Sequence, residues 1–177
     1  VSIPLLDDSI DELNETIVLE ILGASEAVGG LPDIHTVTIT DDDAAPLATV
    51  TAPIGPFGEA DGTINLSVTL DGASGLSVSV PVLFSGTAQL GTDYTVATST
   101  ALFAPGVTAV DLALGLVNDP IYEGAETIVA SLGTPTNANL GAATAVTLAI
   151  NDDEPAPTVT FGAIPGSIPE TVGTLVI

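Results

Sequence analysis

The chain is 177 residues long, with 23 Asp and Glu, one His, no Lys or Arg and a formal net charge of −23. Without cationic side chains it has nothing to exchange for the counterions of a nucleic acid, nothing to draw it to an anionic membrane, and no Arg or Lys to grip a phosphate or act as nucleophile. A hydrophobic content of 46% supplies a core, aromatics at 3% leave that core to Val, Ile, Leu and Ala, and the lack of Cys excludes disulfides and thiolate sites.

Taken in chain order, period-two alternation predicts a short strand near Thr49–Ala52, then one with Ile64, Leu66, Val68 and Leu70 inward. A third carries Val78, Val80, Val82 and Phe84, and a fourth spans Thr95–Phe103. Val110, Leu112, Leu114 and Leu116 mark the fifth, Ile128, Ala130 and Leu132 the sixth, and Val146, Leu148 and Ile150 the last. Asp71-Gly72, Ser85-Gly86 and Pro105-Gly106 punctuate them as turns. No stretch sustains a helical period. About seven short antiparallel strands in some 110 residues predict an all-β, immunoglobulin-like sandwich. The longest uncharged runs, Gly72–Thr92 and Thr127–Asn151, are broken by Pro81 and Pro135 and read as no membrane span. No signal peptide is visible, since no basic region precedes an apolar stretch.

An internal repeat organises these elements. Asp8-Ser-Ile10-Asp-Glu12-Leu-Asn-Glu15-Thr16-Ile17-Val18 returns 111 residues later as Asp119-Pro-Ile121-Tyr-Glu123-Gly-Ala-Glu126-Thr127-Ile128-Val129. The same spacing carries Ile39-Thr-Asp41-Asp42-Asp43 onto Ile150-Asn-Asp152-Asp153-Glu154, and Glu59…Gly62-Thr63-Ile64 onto Glu170…Gly173-Thr174-Leu175. A period of that length is a whole small domain and not a solenoid turn. Residues 1–44 are therefore expected to be the end of one repeat, 45–154 a complete repeat, and 155–177 the opening of a third. Such a layout implies a window on a longer tandem array.

The carboxylates gather in two matching groups. Asp7, Asp8, Asp11, Glu12, Glu15, Asp41, Asp42 and Asp43 form one; Glu59, Asp61, Asp93, Asp119, Glu123, Glu126, Asp152, Asp153 and Glu154 form the other. In a sandwich of alternating strands, the loop entering the sixth strand and the exit of the seventh share one end, and the approach to the second strand reaches it. Two like charges ~4 Å apart repel by about 4 kcal/mol at an effective dielectric near 20. Carboxylates converging without a cationic side chain need protons or metal ions, and flexible all-oxygen sites suit Ca²⁺.

The run Asn118-Asp119-Pro-Ile121-Tyr122-Glu123-Gly124-Ala-Glu126-Thr127, with Gly91-Thr-Asp93-Tyr94 before it and Asn151-Asp152-Asp153-Glu154 after it, resembles the Calx-beta domain. The resemblance implies a seven-stranded sandwich that takes Ca²⁺ as its cofactor. It transfers ligand roles to Glu59, Asp93, Asp119, Glu123, Glu126, Asp152, Asp153 and Glu154, with the Ile121 carbonyl as a backbone ligand. Asn118 stands where strong binders carry an acid, which Asp7 restores in the earlier copy. There the implied ligands are Asp7, Asp8, Ile10, Glu12, Glu15, Asp41, Asp42 and Asp43, while the partners of Glu59 and Asp93 fall ahead of residue 1.

Enzymatic candidates are set aside. His35 has no convergent partners for zinc or a triad, and Glu123 with Glu126 lacks the aromatic platforms of a glycosidase. Three functional readings stay open. One is a structural and adhesive module of an extracellular surface protein, with Ca²⁺ at repeat junctions and neighbouring repeats or a surface ligand as partners. Another is a filament subunit that pairs with identical chains, and the last is a regulatory Ca²⁺ sensor.

Overall fold

A run that alternates Val, Ile or Leu with Thr, Ser or Ala buries one face of a strand and wets the other. That rule builds most of this chain. The computed structural model describes residues 2–23, 25–162 and 166. Its strands, in chain order, are β1 (Glu15–Glu20), β2 (Ile34–Ile39), β3 (Leu47–Thr51), β4 (Phe57–Gly58), β5 (Thr63–Leu70), β6 (Val78–Gly86), β7 (Tyr94–Val96), β8 (Thr100–Phe103), β9 (Ala109–Leu116), β10 (Glu126–Leu132), β11 (Asn139–Leu140) and β12 (Ala145–Asn151). One 3₁₀ turn, Glu59–Asp61, stands between β4 and β5. No helix among the described residues is long and apolar enough to cross a membrane.

Two five-stranded sheets, in the orders β4-β12-β10-β6-β8 and β11-β3-β5-β9-β7, enclose one core. The inward sets are those the alternation picks out. Ile64, Leu66, Val68 and Leu70 of β5 are buried, as are Val78, Val80 and Val82 of β6, Ile128 and Ala130 of β10, and Leu148 and Ile150 of β12. At the other polarity of the alternation, Leu83 on the outer face of β6 is 62% exposed. The core is thus an all-β sandwich, as expected.

The strand count differs from the expected seven, because β3 to β12 place ten strands in the body. The run expected as a single strand, Thr95–Phe103, is two strands in different sheets: β7 pairs with β9 and β8 with β6. Short hydroxyl side chains at the crossing explain the break. Thr98 Oγ1 accepts the Thr100 N–H and the Ser99 carbonyl accepts the Val82 N–H, so the backbone satisfies itself while changing sheets. The two-residue strands β4 and β11, parallel to β12 and β3, are too short to show any alternation.

Ahead of the body, β1 and β2 form a separate two-stranded sheet. Its register, Glu15 opposite Ile39 through Glu20 opposite Ile34, is that of β10 and β12 shifted by the repeat spacing, where Glu126 faces Ile150. Beyond Glu154, residues 155–162 carry no strand. The counterpart expected at Glu170–Leu175 lies outside the described residues.

Candidate metal centre

Three strand pairings assemble one acidic end of the sandwich. Parallel pairing sets Asn151 of β12 opposite Gly58 of β4, so the next residues, Asp152 and Glu59, leave the sheet side by side. Antiparallel pairing sets Glu126 opposite Ile150, which brings in the loop 117–125. Tyr94 lies opposite Leu116, and the Asp93 carbonyl accepts the Val117 N–H at 2.9 Å, adding Asp93 to the same end. Carboxylates from four chain segments therefore meet.

Local hydrogen bonds then aim each one. Asp93 Oδ2 accepts the Gln89 N–H at 2.6 Å across a tight turn, while Oδ1 is buried with no partner among the described residues. Asp152 Oδ2 accepts the N–H groups of Glu123 and Gly124, both at 2.7 Å, and its Oδ1 accepts that of Glu154 at 3.0 Å. Those two loop N–H groups point at one oxygen because Gly124 adopts φ +83°, a conformation costly to any residue with a Cβ. Glu154 Oε2 is the second buried oxygen without a partner.

The side chains form two triplets. Ligand oxygens of Glu59, Asp152 and Glu154 lie within 4.8 Å of one another, and so do those of Asp93, Glu123 and Glu126. Glu59 is 5% exposed and Asp93 7%. Burial pushes Glu126 up to about 7, helped by the charge of Asp93 and a hydrogen bond with it. Burial likewise pushes Glu154 up to about 7, followed by its hydrogen bond with Asp152 and the charges of Asp153, Asp152 and Glu59. Glu59 is raised by burial and by the charges of Asp152 and Asp119, and Glu123 by burial and by those of Asp93 and Asp119. Asp152 alone moves the other way, held low by the backbone N–H groups, that of Gly124 first. The triplets feel each other, since Glu59 raises Glu126.

Six of the sequence-derived candidates thus share the triplets. Asp119 is half-buried and spends Oδ1 on the Ile121 N–H at 2.7 Å, though its charge reaches Glu59 and Glu123. Asp153 is exposed and stands outside both triplets, and Asn118 and Ile121 are exposed residues of the same loop cluster. Asp61, grouped with the others by sequence, turns away and caps its own 3₁₀ turn by accepting the Gly58 N–H at 2.8 Å. Sequence reasoning missed the anchoring N–H groups of Gln89, Glu123 and Gly124; the glycine was the available signal for the last.

In the first copy, Asp7, Asp8, Ile10, Glu12, Glu15, Asp41, Asp42 and Asp43 line one open cleft of about 250 Å³. Asp8 Oδ1 accepts the Ile10 N–H at 2.9 Å, the turn that Asp119 makes with Ile121. Asp43 is raised by burial and by Asp41, Asp42, Asp8 and Asp7. None of these residues joins a metal-sized triplet among the described residues. Leu13 stands where Gly124 does, and the Asp41 N–H is taken by Asn14 Oδ1 at 2.9 Å.

The donor set fits a hard divalent cation. It offers carboxylate oxygens from several directions, two of them buried without partners, and no cationic side chain competes. Ca²⁺, with six to eight oxygens and loose geometry, suits this better than octahedral Mg²⁺.

The sequence profile of the Calx-beta domain matches residues 1–43 and 47–154. No curated protein sequence matches the chain. Among solved structures, the apo-form Calx CBD1 domain aligns with a TM-score of 0.52 at 24% identity, over 61% of this chain and 99% of that one, a likeness of fold. CBD12 from CALX1.2 aligns with a TM-score of 0.50 at 26% identity, over 56% of this chain and 41% of that one. The calcium binding domain CBD12 of CALX1.1 gives 0.51 at 25% identity, over 59% and 44%. This chain therefore spans less than half of those two. With the profile matched on the hairpin segment and again on the ten-stranded body, the chain belongs to the Calx-beta domain family.

Proposed function

We propose that the chain is a structural and adhesive repeat segment of an extracellular surface protein, in which Ca²⁺ held by carboxylates fixes one repeat against the next. Glu59, Asp93, Glu123, Glu126, Asp152 and Glu154 hold the ion or ions in the complete repeat, with Asp119 and Asp153 adding charge. When bound, the metal neutralises carboxylates that otherwise repel. The protein's own part is to fix those oxygens: Asp152 by three backbone N–H groups, Asp93 by the Gln89 N–H. Neighbouring repeats are the partners of this reading, and its site is not catalytic. A match to a structure described as a calcium binding domain supports the choice of ion.

The observation that carries it is the pair of buried, unpartnered oxygens, Asp93 Oδ1 and Glu154 Oε2, in a chain with no Lys or Arg. Leaving such groups unpaired costs about 1–3 kcal/mol each, more when charged. Calorimetric melting with Ca²⁺ and with chelator tests it. At a free ion concentration of about 100 times the dissociation constant, the folded state gains about 2.7 kcal/mol, and the melting temperature rises accordingly. Superimposable melting curves in the two conditions refute it.

A further inference from the structure

The acidic loop of the first copy does not hang free. Its Asp11 forms a parallel bridge with Ser74, in the turn between β5 and β6 of the body. The Gly75 N–H donates to the Asp11 carbonyl at 3.0 Å. Ser74 Oγ lies 3.2 Å from both the Asp11 carbonyl and its Oδ2, and in turn accepts the Leu76 N–H at 3.0 Å. Ser74 is 2% exposed, unusual for a serine in a turn. The fit at the next residue is closer still. A Cβ built on Gly75 would stand 2.7 Å from Glu12 Oε1 and 2.8 Å from its Cγ, so a side chain at position 75 must displace that of Glu12 from the seat.

We infer that the Ser74–Gly75 turn is a docking seat for the acidic loop of the preceding repeat, and that this joint forms without any metal ion. Its donors are a backbone N–H and a hydroxyl, the groups left to a chain with no Lys or Arg for bonding to an acidic segment. Its main acceptor is a backbone carbonyl, so the seat reads the shape of the loop and not the side chain at position 11. That loop shape is set locally, because Asp8 Oδ1 takes the Ile10 N–H whether or not a seat is present. Asp119 makes the same local turn with Ile121 in the second copy. A preformed loop loses little conformational freedom on docking. The inference goes beyond the calcium reading and does not rest on it.

Amide hydrogen exchange on the full chain in chelator is the test. The Gly75 N–H is expected to exchange at least about tenfold more slowly than its unstructured rate, since it opens only when the loop lifts. Gly75→Val should remove that protection, because its side chain claims the space of Glu12. Adding Glu12→Gly to that variant should restore it, a rescue that a misfolded body would not show. Should the Gly75→Val chain fail to fold, the parent measurement still decides. A parent Gly75 N–H exchanging at the free rate in chelator overturns the inference, and so does a Gly75→Val chain as protected as the parent. Protection that appears only with Ca²⁺ also overturns it while leaving the calcium reading standing.

Discussion

The two copies of one strand pair live in different surroundings. β1–β2 and β10–β12 share register, and both close the next rung alike, with the Ile21 N–H donating to Asp33 and the Leu132 N–H to Thr144, each at 2.8 Å. Burial separates them. Ile128 and Ala130 are 0% exposed and Leu148 2%, whereas Leu19 is 41% and Val37 40% exposed. The sandwich around β10 and β12 adds β6 beside them and a facing sheet above them. It also adds Glu59 and Asp93, the two carboxylates most deeply buried. The same local sequence gives an open acidic cleft in one place and two tight triplets in the other. In the sandwich, packing brings in the two carboxylates that complete the triplets beside the loop motif.

Truncating matched positions gives the largest contrast. Ile128→Ala should cost about 2–5 kcal/mol by leaving a cavity between the sheets. Ile17→Ala, at the matching position, should cost less than about 1 kcal/mol, because water already reaches that side chain. Denaturant melts of the two variants check this, and equal losses break the comparison.

At the metal centre the contrast is smaller but sharper. Asp152→Ala removes a ligand oxygen and strands three N–H groups, so the Ca²⁺ dissociation constant should rise at least about a hundredfold, about 2.7 kcal/mol. Asp41→Ala, its counterpart, should leave the binding isotherm of the sandwich site within about twofold, since Asp41 belongs to neither triplet. Gly124→Leu makes the second copy resemble the first at Leu13. Holding φ near +83° then costs about 1–2 kcal/mol, or the two N–H groups leave Asp152; either route should weaken Ca²⁺ about tenfold. Titration calorimetry reads both variants.

Much of this was legible in the sequence because two periods are written into it. Alternation marked Ile64 to Leu70 and Val78 to Val82 as inward, the 111-residue spacing picked out Glu59 and the two acidic loops, and the Gly91-Thr-Asp93-Tyr94 motif added Asp93. What escaped was set by contacts without a period. Asp61 and Asp93 fall in one acidic group by sequence, yet one caps its own turn and the other keeps an oxygen free. The split of six acids into two triplets depends on β4, two residues long and parallel to β12. The sheet change after Val96 leaves no pattern either, since it follows from how Thr98 and Ser99 bond locally, which no alternation encodes. The Ser74 seat joins residues 63 apart in the chain, and neither partner is unusual by type.

Acidity gives the smallest contrast and separates protons from metal as the neutralising agent. Without Ca²⁺, Glu126 and Glu154 sit at about 7 against an ordinary 4.5, with Glu59 and Glu123 raised as well. The folded chain therefore binds these protons more tightly than the unfolded one. Their stabilisation is complete below about pH 4.5 and is lost as the pH rises through about 7. Asp152, held low, contributes in the opposite sense, and its share disappears as the pH falls through its own folded value below 3.8. Between pH 6 and 8 the raised groups dominate, so the chelated protein should melt at a higher temperature at pH 6 than at pH 8. Calcium must displace the same protons, so its stabilisation should be larger at pH 8, with protons released on binding near neutrality. A chelated melting temperature that climbs from pH 6 to 8 would mean that the buried carboxylates keep their charge without an ion.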